Sequence, residues 1–412
     1  MNASARPLSL PEPEAAERAL SARLVARVRA EIQAAGGALG FDRYMALALH
    51  EPELGYYAAG HRKFGAAGDF VTAPELSPLF GACLATQLER WLAATSPVIW
   101  EFGAGSGELA VQLLTELGAR GVRPLEYRIV ELSAELRARQ RERIEARAPQ
   151  LLERVQWVDL LPERIDGVVI ANELLDALPV RLFAIEPEGI FERVVGLAAR
   201  PAGGEGPTPS AHGLLELARR PADAAFARTV EARLARAAWP DGARPAGYCS
   251  EVGEQASAWV SSIAERLGDG AMLLIDYGFP AAELYHPARS AGTLNCHYRH
   301  RSHADALWWP GLCDITAHVD FSAVHDAARE AGLACVGYGS QASFLLGCGL
   351  AEHFASHQFA DVADRARAAQ ALQMLVSEAE MGELFKVIAF ARNPTLDALA
   401  LVGRDRRAVL EG

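Results

Sequence analysis

The apolar positions near the start of the chain follow a helical period. Apolar residues spaced three and four apart predict a helix over 16–34, and the Gly36-Gly37 pair is expected to end it. Two further helices are predicted over 41–49 and 79–93. The segment between them, 54–70, is polar and rich in glycine, so we expect a loop there. The first hundred residues are therefore predicted to be mostly helical.

From residue 98 onward, short apolar runs alternate with amphipathic stretches. Five strands are predicted at 98–102, 127–130, 155–158, 167–171 and 271–275, and helices follow the first two of them. Such alternation is typical of a parallel sheet with helices on both of its faces. Other elements predicted in this region are a hairpin at 181–185 and 190–195, a Pro- and Gly-rich loop at 199–213, a helix at 251–267, and strands at 333–336 and 385–390.

The pattern as a whole predicts an α/β fold whose doubly wound, mostly parallel sheet has seven strands. We expect four parts: a disordered tail (1–15), an N-terminal helical or lid region (16–95), a core carrying the sheet (96–180 and 251–412), and a substrate-side insertion (181–250). A long irregular segment is predicted over 283–320. Ligands of open α/β sheets bind at the carboxyl ends of the strands. The insertions after strands four and five fall at that edge.

Composition and charge narrow the class of protein. Half of the 412 residues are hydrophobic, which excludes a disordered chain, and a net charge of −12 argues against a nucleic-acid partner. The six cysteines form no C-x-x-C pair and are expected to be reduced. The sequence shows no signal-peptide pattern and no apolar run of the ~18 residues that a membrane span needs. A cytoplasmic protein without membrane insertion is predicted, and the oligomeric state stays open.

A glycine turn follows the first predicted strand and opens a helix. It reads Glu101-Phe-Gly103-Ala-Gly105-Ser-Gly107, and Glu108 occupies the position where a hydride-cofactor fingerprint needs glycine. A P-loop is excluded because no G-K-[ST] is present. The acidic-x-G-x-G-x-G arrangement is typical of methyltransferases that use S-adenosyl-L-methionine. That cofactor has a cationic amino-acid end and no phosphate, which suits an acidic residue such as Glu101.

Two more acidic residues follow the next predicted strands. Glu131 ends strand two, where a carboxylate accepts hydrogen bonds from the two ribose hydroxyls of the cofactor. Asp159 ends strand three and is the candidate partner of the adenine amino group. The alternative is that both residues only neighbour helix N-caps.

Six sequence blocks together resemble one known family. They begin at Gly68 (GDFVTAPE), Glu101 (the glycine turn), Ala171 (ANELLDALP), Ile275 (IDYG), Pro310 (PGLCDITAHVDF) and Met381 (MGELFK). In this order they resemble the MidA family, which includes a mitochondrial complex I assembly factor that methylates arginine. The resemblance implies a class I methyltransferase fold. It also implies symmetric dimethylation of an arginine in a respiratory complex I subunit, at least for the mitochondrial members.

The catalytic candidates follow predicted strand four, where class I enzymes present their substrate. Carboxylates of Glu173 and Asp176 are suited to hold a guanidinium, which stays protonated and needs its charge kept away from the attacking nitrogen. Asn172 is a candidate to exchange a hydrogen bond with the nucleophile. The alternative reading makes Asp176 a helix cap and Glu173 a solvated residue of a first helical turn.

A lid is predicted before the core. Asp69, Thr72 and Glu75 are polar and are candidates to reach the methionine part of the cofactor. The alternative is ordinary helix entry, because Thr72 and Glu75 have capping-box spacing.

The His-rich segment after strand five is a candidate metal site. His297, His300 and His303 recur every third residue after Cys296, so they would share one face of a helix. No C-x-x-C or H-E-x-x-H partner is present, so no metal is predicted. Asp314 and His318 belong to a family block and are expected to shape the substrate channel.

Three functions are compatible with this sequence. The one we favour is a protein-arginine N-methyltransferase whose protein substrate is a complex I subunit. The others are an assembly chaperone that binds S-adenosyl-L-methionine without catalysis, and a small-molecule methyltransferase. The acidic candidates favour an enzyme over a chaperone.

Overall fold

The computed structural model describes residues 10–58, 71–122, 126–198, 214–240, 244–392 and 399–411. Most of the predicted tail, 1–9, lies outside this part of the chain. The first described elements are α1 (Ala15–Ala34), β1 (Ala38–Gly40), α2 (Phe41–His50), α3 (Ala73–Leu76) and α4 (Pro78–Ala94). The alternating core follows with β2 (Val98–Phe102), α5 (Glu108–Ala119), β3 (Glu126–Val130), α6 (Ala134–Arg147), β4 (Val155–Val158) and β5 (Ile165–Asn172).

The second half of the chain contains more short strands than the sequence predicts. Its elements up to the centre of the main sheet are β6 (Arg181–Glu186), β7 (Gly189–Leu197), β8 (Leu215–Pro221), α7 (Ala224–Leu234), β9 (Cys249–Val252), α8 (Glu254–Arg266) and β10 (Leu267–Phe279). The remainder comprises α9 (Ala281–Leu284), β11 (Asn295–Tyr298), β12 (Arg301–His303), β13 (Asp314–Thr316), β14 (Val319–Asp320), α10 (Phe321–Glu330), β15 (Ala334–Ser340), α11 (Gln341–Gly347), α12 (Leu350–Ser356), α13 (Val362–Val376), α14 (Met381–Leu384) and β16 (Phe385–Ala391).

The main sheet is doubly wound, as the alternation predicts. Its strand order is β15-β16-β10-β5-β2-β3-β4, and the strands from β10 to β4 run parallel. Strand β16 runs antiparallel to both of its neighbours, so the sheet is mixed. The order of the strands reverses between β2 and β5. The carboxyl ends of these two strands therefore flank the switch point where α/β sheets bind ligands.

The sheet has eight strands where seven are expected. The extra strand, β14, pairs in parallel with the last two residues of β10. A side chain at Gly278 of β10 would place its Cβ 2.1 Å from the carbonyl oxygen of Val319, so glycine is what allows this close pairing. The two-residue length of β14 explains why periodicity does not reveal it.

Helices cover both faces of the main sheet. On one face α4 and α5 pack Trp91 and Leu113 against Ile99 and Val168, and on the other α8 and α10 cover Val169 among others. The sheet residues Val168 and Val169 thus point to opposite faces, as successive residues of a strand do.

A second sheet lies outside the core, with order β1-β7-β6-β9 and β8 paired to β7. It contains the predicted hairpin and also β1, because Ala38 pairs with Gly196. The N-terminal helices bury Leu24 and Tyr44 in one cluster with Leu182 and Trp309. The predicted helix at 251–267 is instead β9 followed by α8, and Glu251 is buried where it accepts a 2.9 Å hydrogen bond from the backbone nitrogen of Thr293.

The segment 283–320 is not irregular, because β11, β12 and β13 form a third, antiparallel sheet in it. The side chains of Cys296 and Tyr298 are buried on one face of β11. His297 lies on β11 and His303 on the paired strand β12, with His300 in the turn between them. The three histidines therefore do not share a helix face. Within the described residues, no group of three or more potential ligands is placed to hold a metal ion.

Candidate active site

A cavity of about 740 Å³ lies at the carboxyl ends of β2, β3 and β5. The glycine turn, the start of α6 and the residues after β5 form three of its walls, and the chain after α2 closes the fourth. A volume of this size is within the range of about 300–1,000 Å³ that small-molecule sites occupy. The cavity is therefore large enough for a cofactor and part of a substrate.

The glycine turn connects β2 to α5 with a left-handed backbone. Gly103, Gly105 and Gly107 have φ values of 67°, 52° and 82°. A Cβ at Gly103 would lie 2.9 Å from Leu174 Cδ1. Glycine thus meets both the φ requirement and the close approach of the segment after β5, and it leaves the backbone exposed to the cavity.

Glu101, the next-to-last residue of β2, lines the cavity. The Tyr127 hydroxyl donates a 2.7 Å hydrogen bond to its Oε2, and the side chain is almost fully buried. Burial raises the pKa of Glu101 to about 7. Its carboxylate would regain ionisation beside a cationic amino group, which is what the methionine end of the predicted cofactor presents.

Glu131 lies where β3 ends and lines the opposite end of the cavity. Its Oε1 accepts a hydrogen bond of 2.9 Å from the Ser133 backbone nitrogen, and its Oε2 accepts one of 3.3 Å from Gln140 Nε2. Gln140 lies inside α6 and is absent from the sequence prediction, because a lone glutamine within a charged helix has no distinguishing pattern.

Asp159 is not brought to the cavity. Its side chain is 75% exposed and pairs with Arg137 of α6. Strand β4 is the edge strand of the parallel half of the sheet, and Asp159 is not among the residues that line the cavity. The structure therefore gives no support for a contact with an adenine amino group.

The predicted lid residues have three different placements. Thr72 lines the cavity, whereas Glu75 turns to the outside of the glycine turn, where Ser106 and Arg143 donate to its Oε1. Asp69 lies outside the described residues. Thr72 precedes α3 without a capping hydrogen bond from its side chain, so the capping-box alternative is not what the structure shows.

Arg143 also donates to the buried Glu108 at 2.8 Å, and Arg147 donates to the same carboxylate at 2.9 Å. These charges link α3, α5 and α6 behind the glycine turn. Glu108 thus has a structural role, which the sequence did not reveal.

Glu173 follows β5 and lines the cavity with Asn172. Its backbone is left-handed (φ 52°), and its nitrogen donates 2.9 Å to the carbonyl oxygen of Ile275. Its Oε1 accepts hydrogen bonds from the Ala73 backbone nitrogen at 3.2 Å and from Asn172 Nδ2 at 3.0 Å. Burial, reinforced by the charge of Asp176, raises the pKa of Glu173 to about 8.

Asp176 is buried one layer behind Glu173 and does not line the cavity. It shares a hydrogen bond with the Tyr277 hydroxyl, and burial raises its pKa to about 6. It does not cap a helix: within the described chain, residues 173–180 form a turn between β5 and β6.

Asp276 builds that turn and was missed by the sequence prediction. Its Oδ2 accepts from the backbone nitrogens of Leu174, Leu175 and Asp176 at 2.8–3.3 Å. Burial and the charges of Asp176 and Glu173 raise its pKa. Its position directly after a predicted strand, in the block IDYG, is a signal that could have revealed it.

Asp314 and His318 lie beyond this carboxyl cluster. Asp314 accepts a 2.8 Å hydrogen bond from the Tyr57 hydroxyl, and Tyr57 lines the cavity. The His318 ring lies between the rings of Tyr277 and Phe279, and burial lowers its pKa to about 4. His318 is therefore neutral near pH 7, and Asp314 contacts the cavity-lining residue Tyr57.

The residues present fit S-adenosyl-L-methionine. The glycine turn exposes its backbone to the cavity, Glu101 suits the cationic end, and Glu131 suits the ribose hydroxyls. When bound, this cofactor supplies an electrophilic methyl group. The strand order, the glycine turn and the acidic residues of the cavity agree with one class of protein, the methyltransferases dependent on S-adenosyl-L-methionine.

Comparison with known proteins identifies the family. A family model described as "putative S-adenosyl-L-methionine-dependent methyltransferase" matches residues 81–339, and the chain belongs to this family. The resemblance to the MidA family is thereby confirmed, as are the cofactor and the enzyme class. A Burkholderia thailandensis structure bound to S-adenosyl-homocysteine is 48% identical, with a TM-score of 0.87 over 96% of this chain and 99% of that one.

Curated relatives carry more specific names. The zebrafish (Danio rerio) and mouse (Mus musculus) proteins named "Protein arginine methyltransferase NDUFAF7, mitochondrial" are each 28% identical to this chain. The alignments cover 85% and 86% of this chain and 83% and 81% of the relatives. Both relatives are mitochondrial, so the cytoplasmic location predicted from the sequence is wrong by this comparison. In the described part of the chain, no helix has the length and apolarity of a membrane span.

Proposed function

We propose that this methyltransferase transfers methyl groups to arginine in a protein substrate. The main support is the Glu173 carboxyl group, which lines the cavity directly after β5. The Glu173 backbone is left-handed, with φ 52°, which is strained for a residue other than glycine. Strained non-glycine residues are concentrated at functional sites. The name of the zebrafish and mouse relatives supports the same reaction.

An unpaired acceptor beside Glu173 supports a donor-rich substrate. Asn172 Oδ1 is buried, has no hydrogen-bond donor among the described residues, and belongs to a residue that lines the cavity. A guanidinium carries five N–H donors and no acceptor, so it can donate to this oxygen and to the Glu173 carboxylate together. A buried acceptor without a donor costs about 1–3 kcal/mol, which such a substrate would recover.

The carboxyl groups have distinct roles in this proposal. Glu173, in its ionised form, holds the guanidinium and leaves one nitrogen facing the cofactor end of the cavity. A C–N bond forms as the cofactor's C–S bond breaks, and the attacking nitrogen loses one proton. We assign that proton to Glu173: the guanidinium charge stabilises the ionised form that binds it, and burial, which raises the pKa of Glu173 to about 8 without substrate, favours taking up the proton. Asp176 and Tyr277 support Glu173 from behind.

The surrounding segments complete the proposal. Residues 71–76 serve as a lid, since Thr72 lines the cavity and Ala73 donates to Glu173. In this proposal, 16–95 is the helical lid region, 181–250 is the substrate-side insertion, and 96–180 with 251–412 is the core that carries the sheet. A complex I subunit as substrate, and symmetric dimethylation, are proposed on the resemblance to the MidA family alone.

The test uses labelled methyl transfer. Mass spectrometry of cells with and without the protein would first identify the substrate and the methylated arginine. Glu173→Gln keeps the shape of the side chain and removes its charge, so transfer should fall at least ~10²-fold while S-adenosyl-homocysteine binding persists. Glu265→Gln, on the exposed face of α8, is the matched control.

The outcomes separate the alternatives. Full activity of Glu173→Gln would remove Glu173 from the proposed role. Cofactor binding with no transfer to any cellular protein would reject the arginine methyltransferase and favour the chaperone or the small-molecule enzyme. Transfer to lysine placed at the target position would also contradict it, since lysine cannot present a planar fork.

A further inference from the structure

Gln140 of α6 connects two parts of the cofactor cavity, the glycine turn and the end of β3, to strand β4. The side chain is fully buried. Its Nε2 lies 3.1 Å from the carbonyl oxygen of Gly105 and 3.3 Å from Glu131 Oε2, and its Oε1 lies 2.8 Å from Trp157 Nε1. Every polar atom of the amide thus has a partner, and the partners come from the glycine turn, the end of β3 and β4.

The chemistry of these partners fixes the orientation of the amide. The Trp157 indole nitrogen can only donate, so it must face Oε1. Nε2 is then directed at two acceptors, the Gly105 carbonyl and the Glu131 carboxylate. The backbone packs closely as well, because a Cβ at Gly107 would lie 3.2 Å from the Cα of Gln140.

We propose that Gln140 is a positioning residue of the cofactor site, which holds the Glu131 carboxylate ionised and oriented toward the ribose hydroxyls while it fixes the glycine turn. The proposal rests on S-adenosyl-L-methionine as the cofactor and on Glu131 as its ribose contact. It does not depend on arginine as the substrate. Gln140 itself lies behind the cavity wall and acts through Glu131 and Gly105.

The electrostatics agree with this geometry. Burial raises the pKa of Glu131, while hydrogen bonds from the Ser133 backbone and the Gln140 side chain oppose that rise, as does the charge of Arg137. Arg137 on α6 also pairs with Asp159 after β4. The ionisable residues that line this part of the cavity, among those described, include Glu135 at the start of α6, Glu108 at the start of α5 and Glu101 on β2.

The test measures binding of S-adenosyl-homocysteine by calorimetry between pH 5.5 and 8.5. Gln140→Leu removes both donated hydrogen bonds to the site, so Glu131 should protonate at a higher pH. Affinity should fall about tenfold at pH 7, and the loss should deepen as the pH decreases.

Gln140→Glu should show the opposite pH dependence. Glutamate at this position still accepts from Trp157, and it donates to Glu131 only when protonated. Affinity should therefore be close to that of the wild type at pH 5.5 and should fall as the pH rises. This variant also keeps the side-chain volume, so it remains informative if Gln140→Leu does not fold.

Gln341→Leu is the matched control. Gln341 is also a fully buried glutamine, and its Nε2 donates to the carbonyl oxygen of Leu375, away from the cavity. It should lower stability without altering the pH profile of binding. Wild-type pH profiles in both Gln140 variants, or equal losses in Gln140→Leu and Gln341→Leu, would overturn the proposal.

Discussion

A single backbone angle places the central carboxyl group of the site. Glu173 has φ 52°, a conformation that glycine adopts freely and that costs other residues roughly 1–2 kcal/mol. The three backbone hydrogen bonds accepted by Asp276 Oδ2 stabilise the turn that imposes it. The fold therefore holds a strained glutamate where a relaxed glycine would fit, and this agrees with a role for its side chain in the reaction.

Glu131 offers the most direct test of the cofactor site at the scale of one residue. Glu131→Ala removes a carboxylate expected to accept two hydrogen bonds from ribose, each worth about 1.5–3 kcal/mol when one partner is charged. S-adenosyl-homocysteine should bind at least a hundredfold more weakly in calorimetry. Glu142→Ala changes an exposed residue of the same helix, α6, and should bind as the wild type does. Unchanged affinity in Glu131→Ala would exclude the ribose contact.

At the scale of elements, the contact between the glycine turn and α6 controls the geometry of the cavity. Gly107, the N-cap residue before α5, has φ 82° and faces the Gln140 backbone. Gly107→Ala should lower the free energy of unfolding by about 1–2 kcal/mol because of the left-handed backbone alone. The added methyl group would also press against Gln140 of α6, which should weaken cofactor binding. Thermal unfolding and calorimetry measure the two effects.

Gly121→Ala separates strain from contact. Gly121 has a similar φ of 78°, but a Cβ there would meet no atom within 4 Å. It should lose comparable stability and keep the affinity for S-adenosyl-homocysteine. Equal affinities in both variants would show that α6 tolerates the added methyl group.

The elements with strong local signals were the ones that the sequence predicted. Hydrophobic runs next to glycine or acidic residues mark β2, the glycine turn and the acidic strand ends Glu101, Glu131 and Glu173. Their lining of one cavity follows from parallel strands sharing a carboxyl edge. The eighth strand and the sheet β11–β13 were missed because strands of two to four residues depend on pairing with distant partners.

Two residues show why the rest of the site was not predictable. Asp159 follows a strand just as Glu131 does, but its side chain is 75% exposed and pairs with Arg137 of α6. Gln140 has three partners that lie 9 to 35 residues away in sequence. Both roles are set by tertiary contacts, which local patterns do not record.

At the scale of the whole molecule, buried carboxyl groups make stability depend on pH. The pKa is raised to about 7 in Glu101 and to about 8 in Glu173. Above pH 4.5 the unfolded chain releases protons that these groups keep when folded, so stability declines as the pH rises through the folded-state values. Denaturant unfolding should therefore show lower stability at pH 9 than at pH 6.5.

Glu173→Gln should flatten this decline, because the amide does not titrate. Asp166→Asn is the control: the Arg164 side chain lowers the pKa of Asp166, so that carboxyl titrates well below the tested range. It should leave the slope between pH 6.5 and 9 unchanged. A Glu173→Gln slope equal to that of the wild type would show that Glu173 titrates at its ordinary value.

The pairing of β1 with β7 also has a consequence for synthesis on the ribosome. Ala38 cannot pair until Gly196 has been synthesised, and at a translation rate of about 5–20 residues per second that delay is roughly 10–30 s. Until then the helices α1 and α2 lack the residues of β6 and β7, such as Leu182 and Val195, that complete the cluster containing Leu24 and Tyr44. The wall of the cavity that contains Tyr57 follows α2 and is completed late. A nascent chain therefore exposes apolar helices while the cofactor cannot yet stabilise it, and this interval is when a chaperone would be needed most.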